Sequence, residues 1–490
     1  MSTPYDIVIG LEVHVQLATQ TKLFCGCSTK FGAPPNTQTC PVCIGMPGSL
    51  PVMNRRAFEL ALQVGVALEC QIAPFTKWDR KNYYYPDLPK GYQISQYDLP
   101  FSAQGGLEIS DPKGKIAPKR IGIIRAHLEE DAGKSLHDEQ AGEGDSQIDL
   151  NRTGTPLLEI VSEPDMRSPA EAKAYLTELR LLLVYLGVSD CNMQEGSLRV
   201  DANVNLHIPQ PGGGKIATPI VEIKNMNSFR AVERALAYEA ERQFEVWKET
   251  GQKIGDVPKQ TRGWDDQANI TRGQRHKEES SDYRYFPEPD LAPVTVSAAK
   301  LEQARASLGE LPAALRKRLE ATYGITPYDS DVLVNQGQPL VDYYLALAEK
   351  SGDGKQASNW IQQDVLRVLG ERGQTIEQYP VPADRLAALL VKVKAGELDT
   401  GRGREVLARM LETSETAEAA MQALGIAAVD ESVLVELCKE LVAANPKIVA
   451  DVKSGKQQAA AGLIGQAKKR NANVDPARVK AICIELIEAL

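Results

Sequence analysis

Ile7-Val-Ile-Gly-Leu-Glu-Val-His-Val-Gln-Leu17 alternates without a slip. Ile7, Ile9, Leu11, Val13, Val15 and Leu17 fall on one face; Gly10, Glu12, His14 and Gln16 fall on the other. Successive side chains of a strand point to opposite faces, so this pattern predicts a half-buried strand with a polar working face. Ser197 to His207 repeats the device: Leu198, Val200, Ala202, Val204 and Leu206 point inward, and Arg199, Asp201, Asn203 and Asn205 outward. A loop at Pro211 to Gly214 follows, then a return strand with Glu222 and Lys224 on one face, which reads as a hairpin with a long tip. Burial on one face only favours an antiparallel over a parallel sheet.

Two helices interrupt these strands. Ser168-Pro-Ala-Glu171 supplies an N-cap, a proline at the first helical position and a capping-box glutamate before Ala172 to Leu186. The second helix, about Ser228 to Thr250, ends at Gly251. The class is therefore α+β. Near residue 293 the chain changes character, at the proline-rich Tyr283-Arg-Tyr-Phe-Pro-Glu-Pro-Asp-Leu-Ala-Pro293. Almost everything beyond it reads as helix, with a second linker at Gly396 and Gly401-Arg-Gly403. The expected domains are 1–293, 294–400 and 401–490.

A chain of 490 residues exceeds what one hydrophobic core usually holds, which agrees with several domains. Hydrophobic residues at 43% and charged residues at 25% exclude a disordered chain, a collagen and a coiled-coil rod. No stretch approaches the roughly 18 uninterrupted apolar residues of a membrane span. The first residues lead straight into the strand pattern without a signal-peptide profile, so a cytoplasmic protein is expected. A net charge of −9 argues against nucleic-acid binding through the overall field, though not through a local patch.

Cys25-x-Cys27-x12-Cys40-x2-Cys43 gathers four thiols within 19 residues. That spacing can close a tetrahedral zinc site, and four sulfur ligands leave no open position, so the zinc would be structural. Cys70, Cys191, Cys438 and Cys483 are isolated and read as small buried hydrophobes. Asp131-Ala-Gly-Lys-Ser135 ends like a phosphate-binding P-loop, but the required first glycine is Leu128, and Glu129, Glu130 and Asp131 would repel phosphate. Those same acids, with Glu12 and His14 on one strand face and Glu159 in Pro156-Leu-Leu-Glu-Ile-Val161, suggest another chemistry. Carboxylates on neighbouring strands stay close and ionised only beside a cation, and Mg²⁺ commonly bridges carboxylates to ATP phosphates. Solvated surface charge is the competing reading for each acid taken singly.

Lys77, Arg80, Lys81 and Lys90 accompany Tyr83, Tyr84, Tyr85 and Tyr92, a set suited either to phosphates or to a packed surface. Lys447 to Lys480 carries eight basic residues against two acidic ones, densest at Lys468-Lys469-Arg470. Such a patch binds phosphate backbones by counterion release, or is a solvated helix face.

These residues, in this order, resemble one family. Gly10-Leu-Glu-Val-His-Val-Gln-Leu17, Asp79-Arg-Lys-Asn-Tyr83 with Gly91 to Gln96, Leu128 to Ser135, Asp149 to Arg152 with Gly154 to Asp165, Glu195 to Asn203, and Ser281 to Asp290 are its hallmarks. The chain is similar to the B subunit of bacterial aspartyl/glutamyl-tRNA amidotransferase along its whole length. The resemblance implies a cradle domain like glutamine synthetase and the guanidino kinases, then a helical domain and a tail that contact tRNA. It implies that ATP and Mg²⁺ phosphorylate the side-chain carboxylate of Glu-tRNA(Gln) or Asp-tRNA(Asn). Ammonia from a glutaminase A subunit then displaces phosphate, and a small C subunit completes a heterotrimer. Carried over by position, the Mg²⁺ ligands are Glu12, His14, Glu130 and Glu159, with Glu129 adjacent. Arg199 and Lys224, on polar strand faces, are candidates to stabilise the transferred phosphoryl group, with Glu130 also catalytic; pairing with Asp201 and Glu222 is the competing role for Arg199 and Lys224. Lys468, Lys469 and Arg470 are candidate tRNA contacts. A non-catalytic tRNA-binding scaffold and a free-standing amide ligase for a small acid are the alternatives.

Overall fold

The computed structural model of the chain describes residues 4–137, 146–274, 283–426, 431–471 and 473–489; Ser281 and Asp282 of the last hallmark segment lie outside them. The chain divides into two compact units, Met1–Ala314 and Leu315–Leu490.

The first unit is built on a large mixed sheet. Its main path uses β1 (Asp6–Gln16), β2 (Asp79–Asn82), β3 (Tyr92–Ser95), β4 (Lys119–Glu130), β5 (Pro156–Ser162), β6 (Leu198–Pro209), β7 (Val221–Lys224), β8 (Gln260–Asp265), β9 (Ile270–Gly273) and β10 (Phe286–Pro287). Their spatial order is β9-β8-β7-β6-β1-β5-β4-β3-β2-β10. The two strands with the cleanest alternation, β1 and β6, are central neighbours and pair antiparallel from Asp6↔His207 to Val15↔Leu198. Ile9, Leu11, Val13 and Val15 are buried from β1, and Leu198, Val200, Ala202, Val204 and Leu206 from β6. Fully burying each such side chain is worth about 1.5–3 kcal/mol, and a one-residue slip would turn the whole set to the polar face. Register is thereby fixed where the polar face matters.

Three helices cover the apolar face: α1 (Arg55–Ala67), α2 (Pro169–Tyr185) and α3 (Phe229–Thr250). Phe58, Tyr175, Leu176, Leu179, Val232 and Leu236 join the strand residues in one core. Ser168 caps α2 by accepting from Glu171 N–H. The expected capping box is only half formed, because the Glu171 carboxylate accepts instead from Arg167 N–H and Lys119. Ser228 caps α3, which ends at Gly251 in the left-handed region at φ 65°.

Two features depart from the expected sheet. The return leg of the hairpin is broken at Pro219, where no amide is available, into Lys215–Ala217 and Val221–Lys224, both paired with β6. Moreover, β7 and β8 are parallel, because α3 lies between them and carries the chain back before it re-enters the sheet. A mixed sheet results.

Beyond residue 293, Val294–Thr295 pairs with Phe75–Thr76, and helix Ala298–Ser307 adds Leu301 and Ala304 to the first unit's core. The second unit is helical throughout its described residues. Its last helices share a core of Leu434, Cys438, Leu441, Leu463, Val479 and Cys483. No helix of the described residues is long and apolar enough to cross a membrane.

Candidate functional site

Strand register assembles the polar residues into cross-strand rows. Arg199, His14, Glu159 and His127 lie directly opposite one another across β6, β1, β5 and β4. Asp201, Glu12, Val161 and Arg125 form the next row. Glu129, two residues beyond His127 on β4, shares its face.

The result is a nest of carboxylates and imidazoles. Nε2 of His14 lies 3.6 Å from Glu159 Oε2 and 3.9 Å from Glu129 Oε1. Nε2 of His127 lies 3.4 Å from the same Glu159 oxygen and 3.8 Å from Glu129 Oε2. Donor atoms of His14, Glu129 and Glu159 all lie within 4.8 Å of one another, a spacing that one cation can bridge. Glu12 stands beside them and accepts from Asn203 Nδ2 at 2.8 Å. Burial disfavours charge on Glu159, yet the neighbouring imidazoles of His14 and His127 hold its carboxyl far below the usual range. Burial likewise opposes protonation of His14, but Glu159 and Glu129 outweigh it and raise its pKa.

This nest floors a cleft of about 530 Å³ whose walls include Lys81, Lys224, Lys259, Tyr83, Tyr283 and Tyr285. A second cleft of about 450 Å³ shares His14, Glu129, Asp201 and Lys224 with it and adds Arg199 and Asp131. Lys224 pairs with Asp201 at 2.5 Å and Glu222 at 3.5 Å. Burial lowers its pKa, but these two carboxylates raise it overall, so the ammonium is retained at the cleft wall. Arg199 Nη2 donates to the buried Asp131 at 2.8 Å, while its Nε is buried without a partner among the described residues. Both cations therefore make structural ion pairs of the kind that competes with a catalytic role, and both also border open volume.

Of the residues expected to bind a cation, His14, Glu129 and Glu159 come together, and Glu12 lines the same cleft. Glu130 does not join them. Adjacent residues on a strand point oppositely, so with Glu129 in the cleft Glu130 projects through the reverse face. There it pairs with Lys90 and accepts Ile94 N–H at 2.9 Å, beside a 270 Å³ hollow also lined by Cys25 and Cys43. His127 and Arg125 were not among the expected residues, although the period-two spacing of Arg125, His127 and Glu129 carried the signal.

The sulfurs of Cys25, Cys27, Cys40 and Cys43 lie within 4.8 Å of one another, so the cluster can hold a metal. Cys40 N–H donates to Cys43 Sγ at 3.2 Å, and Gly45 follows at φ 74°. A hydrogen bond from Cys25, outweighing burial, holds the Cys43 thiol down at about 4, while burial pushes Cys27 up to about 11. In the second unit Lys468, Lys469 and Arg470 end helix Ala461–Arg470. Lys468 pairs with Asp399 at 3.2 Å and Arg470 with Glu440 at 2.7 Å; Lys469 has no ion-pair partner among the described residues.

Residues 7–302 match the GatB/GatE catalytic domain, and residues 342–487 match the GatB domain. A curated relative from Rhodopirellula baltica, the B subunit of aspartyl/glutamyl-tRNA(Asn/Gln) amidotransferase, is 61% identical over 484 residues, spanning 99% of this chain and 97% of its own. Proteins of the same description from Moorella thermoacetica and Thermosynechococcus vestitus are 48% and 46% identical, spanning 95% and 97% of this chain and 96% and 95% of their own.

Proposed function

Because the chain belongs to the family of aspartyl/glutamyl-tRNA(Asn/Gln) amidotransferase B subunits, we propose that its cleft activates and amidates the side-chain carboxylate of a misacylated tRNA. The substrates are Glu-tRNA(Gln), Asp-tRNA(Asn) or both. The partners are a glutaminase A subunit and a small C subunit in a heterotrimer, and the setting is the cytoplasm.

A carboxylate is a poor acyl donor because its oxygen leaves badly. Attack of that oxygen on the γ-phosphorus of ATP forms an acyl phosphate and breaks the bond to ADP. Ammonia nitrogen then attacks the acyl carbon, the bond to phosphate breaks, and loss of a proton leaves the amide. Such phosphoryl transfer needs positioning and charge neutralisation more than covalent help from the protein. The observation that carries the reading is the convergence of His14, Glu129 and Glu159 donor atoms on the floor of a large cation-walled cleft.

The set of two carboxylates and an imidazole fits Mg²⁺, and Glu12 lines the same cleft. When bound, the ion would neutralise the phosphates of ATP. His14, Glu129 and Glu159 would hold it, and Asn203 fixes Glu12 beside them. Lys224, with Lys81 and Lys259, offers positive charge where it develops on the transferred group. Arg199, paired with Asp131, adds positive charge at the border of the adjoining cleft. Glu130, on the reverse face, is held by Lys90 and Ile94 N–H and lies outside this cleft. Zinc in the four-cysteine knob, residues 25–43, is a structural ion. The cradle is likened to glutamine synthetase and the guanidino kinases, and Lys468, Lys469 and Arg470 in the tail are assigned to the tRNA body.

The test uses the heterotrimer with its glutaminase inactivated, supplied with Glu-tRNA(Gln), ATP, Mg²⁺ and ammonium. The product is Gln-tRNA, abolished by omitting ATP or by Glu159→Gln in a folded protein that still binds tRNA. Full activity in folded Glu159→Gln and Glu12→Ala would leave only the scaffold reading.

A further inference from the structure

Lys22 is one of the largest fully buried side chains of the protein. Its Nζ donates to Gln38 O at 2.7 Å and Leu150 O at 3.5 Å, and lies 3.6 Å from Cys43 Sγ. No carboxylate lies within ion-pair distance of it among the described residues. Glu130, which borders the same hollow, is engaged by Lys90 and Ile94 N–H.

A buried ammonium satisfied only by neutral carbonyls is an expensive arrangement, because burying a charge is tolerated when it is paired. The anion has to come from the thiol cluster. Four thiolates around a divalent zinc carry a net charge of −2, and a low-dielectric pocket favours a cation against them. We propose that Lys22 is the counter-charge of the zinc–thiolate centre, acting through Cys43. It is a positioning residue outside the sulfur shell.

The same ammonium joins the knob to its neighbour in the fold. Besides Leu150 O, the knob meets this loop where Gln38 N–H donates to Asn151 Oδ1 at 2.8 Å and Asn151 Nδ2 to Pro34 O at 2.7 Å. Arg152, next in sequence, donates from Nε to Ala132 O at 2.9 Å and lies 3.6 Å from Asp131. Lys22 thus ties the knob to residues 149–152 through Leu150 O. Neither statement depends on the amidation chemistry.

The experiment compares the full-length chain with Lys22→Met, Lys22→Gln and Lys22→Arg. Zinc affinity is read by competition with a chromophoric chelator, with folding checked by circular dichroism at saturating zinc. Losing an outer-shell partner typically costs about 10–100-fold in metal affinity. Lys22→Met and Lys22→Gln are expected to fall in that range, and Lys22→Arg, which keeps the charge, to lose less. If Lys22→Met does not fold, the Gln and Arg variants decide: both keep hydrogen-bond donors, and only one keeps charge. Equal affinity in those two, or parental affinity in a folded Lys22→Met, overturns the proposal.

Discussion

Removing Arg80 tests how the cleft obtains its tyrosine wall. Arg80 forks onto Glu288 through Nε at 2.6 Å and Nη2 at 2.8 Å, and also reaches Asp290 at 3.2 Å. The Glu288 side chain is fully buried. This clasp holds the strap that carries Tyr283 and Tyr285, together with a two-residue ladder with β2, bonds from Asn82, and ring contacts of Tyr283 with Tyr83 and of Tyr285 with Tyr97. Removing one partner of a buried pair costs about 3–5 kcal/mol because the other charge is left uncompensated. Glu288 would keep the Asp290 N–H, at 3.0 Å, so the low end applies. Arg80→Met should therefore favour strap opening by about 3 kcal/mol, or on the order of 100-fold. Hydrogen exchange reads this at Asn82 N–H, bonded to Tyr283 O, and Glu288 N–H, bonded to Trp78 O. Arg80→Met/Glu288→Leu should recover most of the protection, since replacing both partners with apolar groups is close to neutral. Unchanged protection in Arg80→Met, or equal loss in the single and double variants, would rule out the clasp as what holds the strap.

His127→Gln in the heterotrimer should raise the Mg²⁺ concentration needed for half-maximal ammonium-dependent amidation, because it removes a neighbour of both Glu159 and Glu129; an unchanged Mg²⁺ titration in a folded variant counts against its place beside the cation. Asp399 caps helix Thr400–Glu412 by accepting Arg402 N–H at 2.8 Å. Asp399→Ala should cost about 1 kcal/mol in the second unit, read by denaturant melts at pH 7. Burial would raise the Asp399 pKa, but Arg402 N–H and Lys468 lower it overall, so its contribution is complete above the ordinary aspartate range and fades as pH falls below it. The Asp399→Ala cost should therefore shrink in acid, and a constant cost from about pH 7 to about pH 3 would contradict the assignment. Lys469→Ala should weaken tRNA binding and reduce its salt slope by about 1, whereas Lys468→Ala should also disturb the ion pair to Asp399. Parallel melting and salt titrations distinguish the two.

Much of this protein is legible in local periodicity and spacing. Alternation identified β1 and β6 and their buried faces because side-chain direction in a strand has a period of two. Ser168, Ser228 and Gly251 marked helix ends because capping is satisfied within a few residues. Four cysteines separated by one, twelve and two residues announced a metal cluster because each close pair presents two sulfurs side by side, while only the fold of the twelve-residue loop brings the two pairs together. The order of the motifs named the family. The alternation of Arg125, His127 and Glu129 marked which acid of Glu129-Glu130 shares their face; which strands meet that face depends on where β4 enters the sheet. Pairing across β4, β5 and β1 likewise brought His127 into the nest, through contacts between strands far apart in sequence. The parallel β7–β8 pair depends on how α3 packs before the chain returns to the sheet. The clasp from Arg80 to Glu288 spans some two hundred residues, and no local pattern encodes such a distance; the shared burial of the two side chains does.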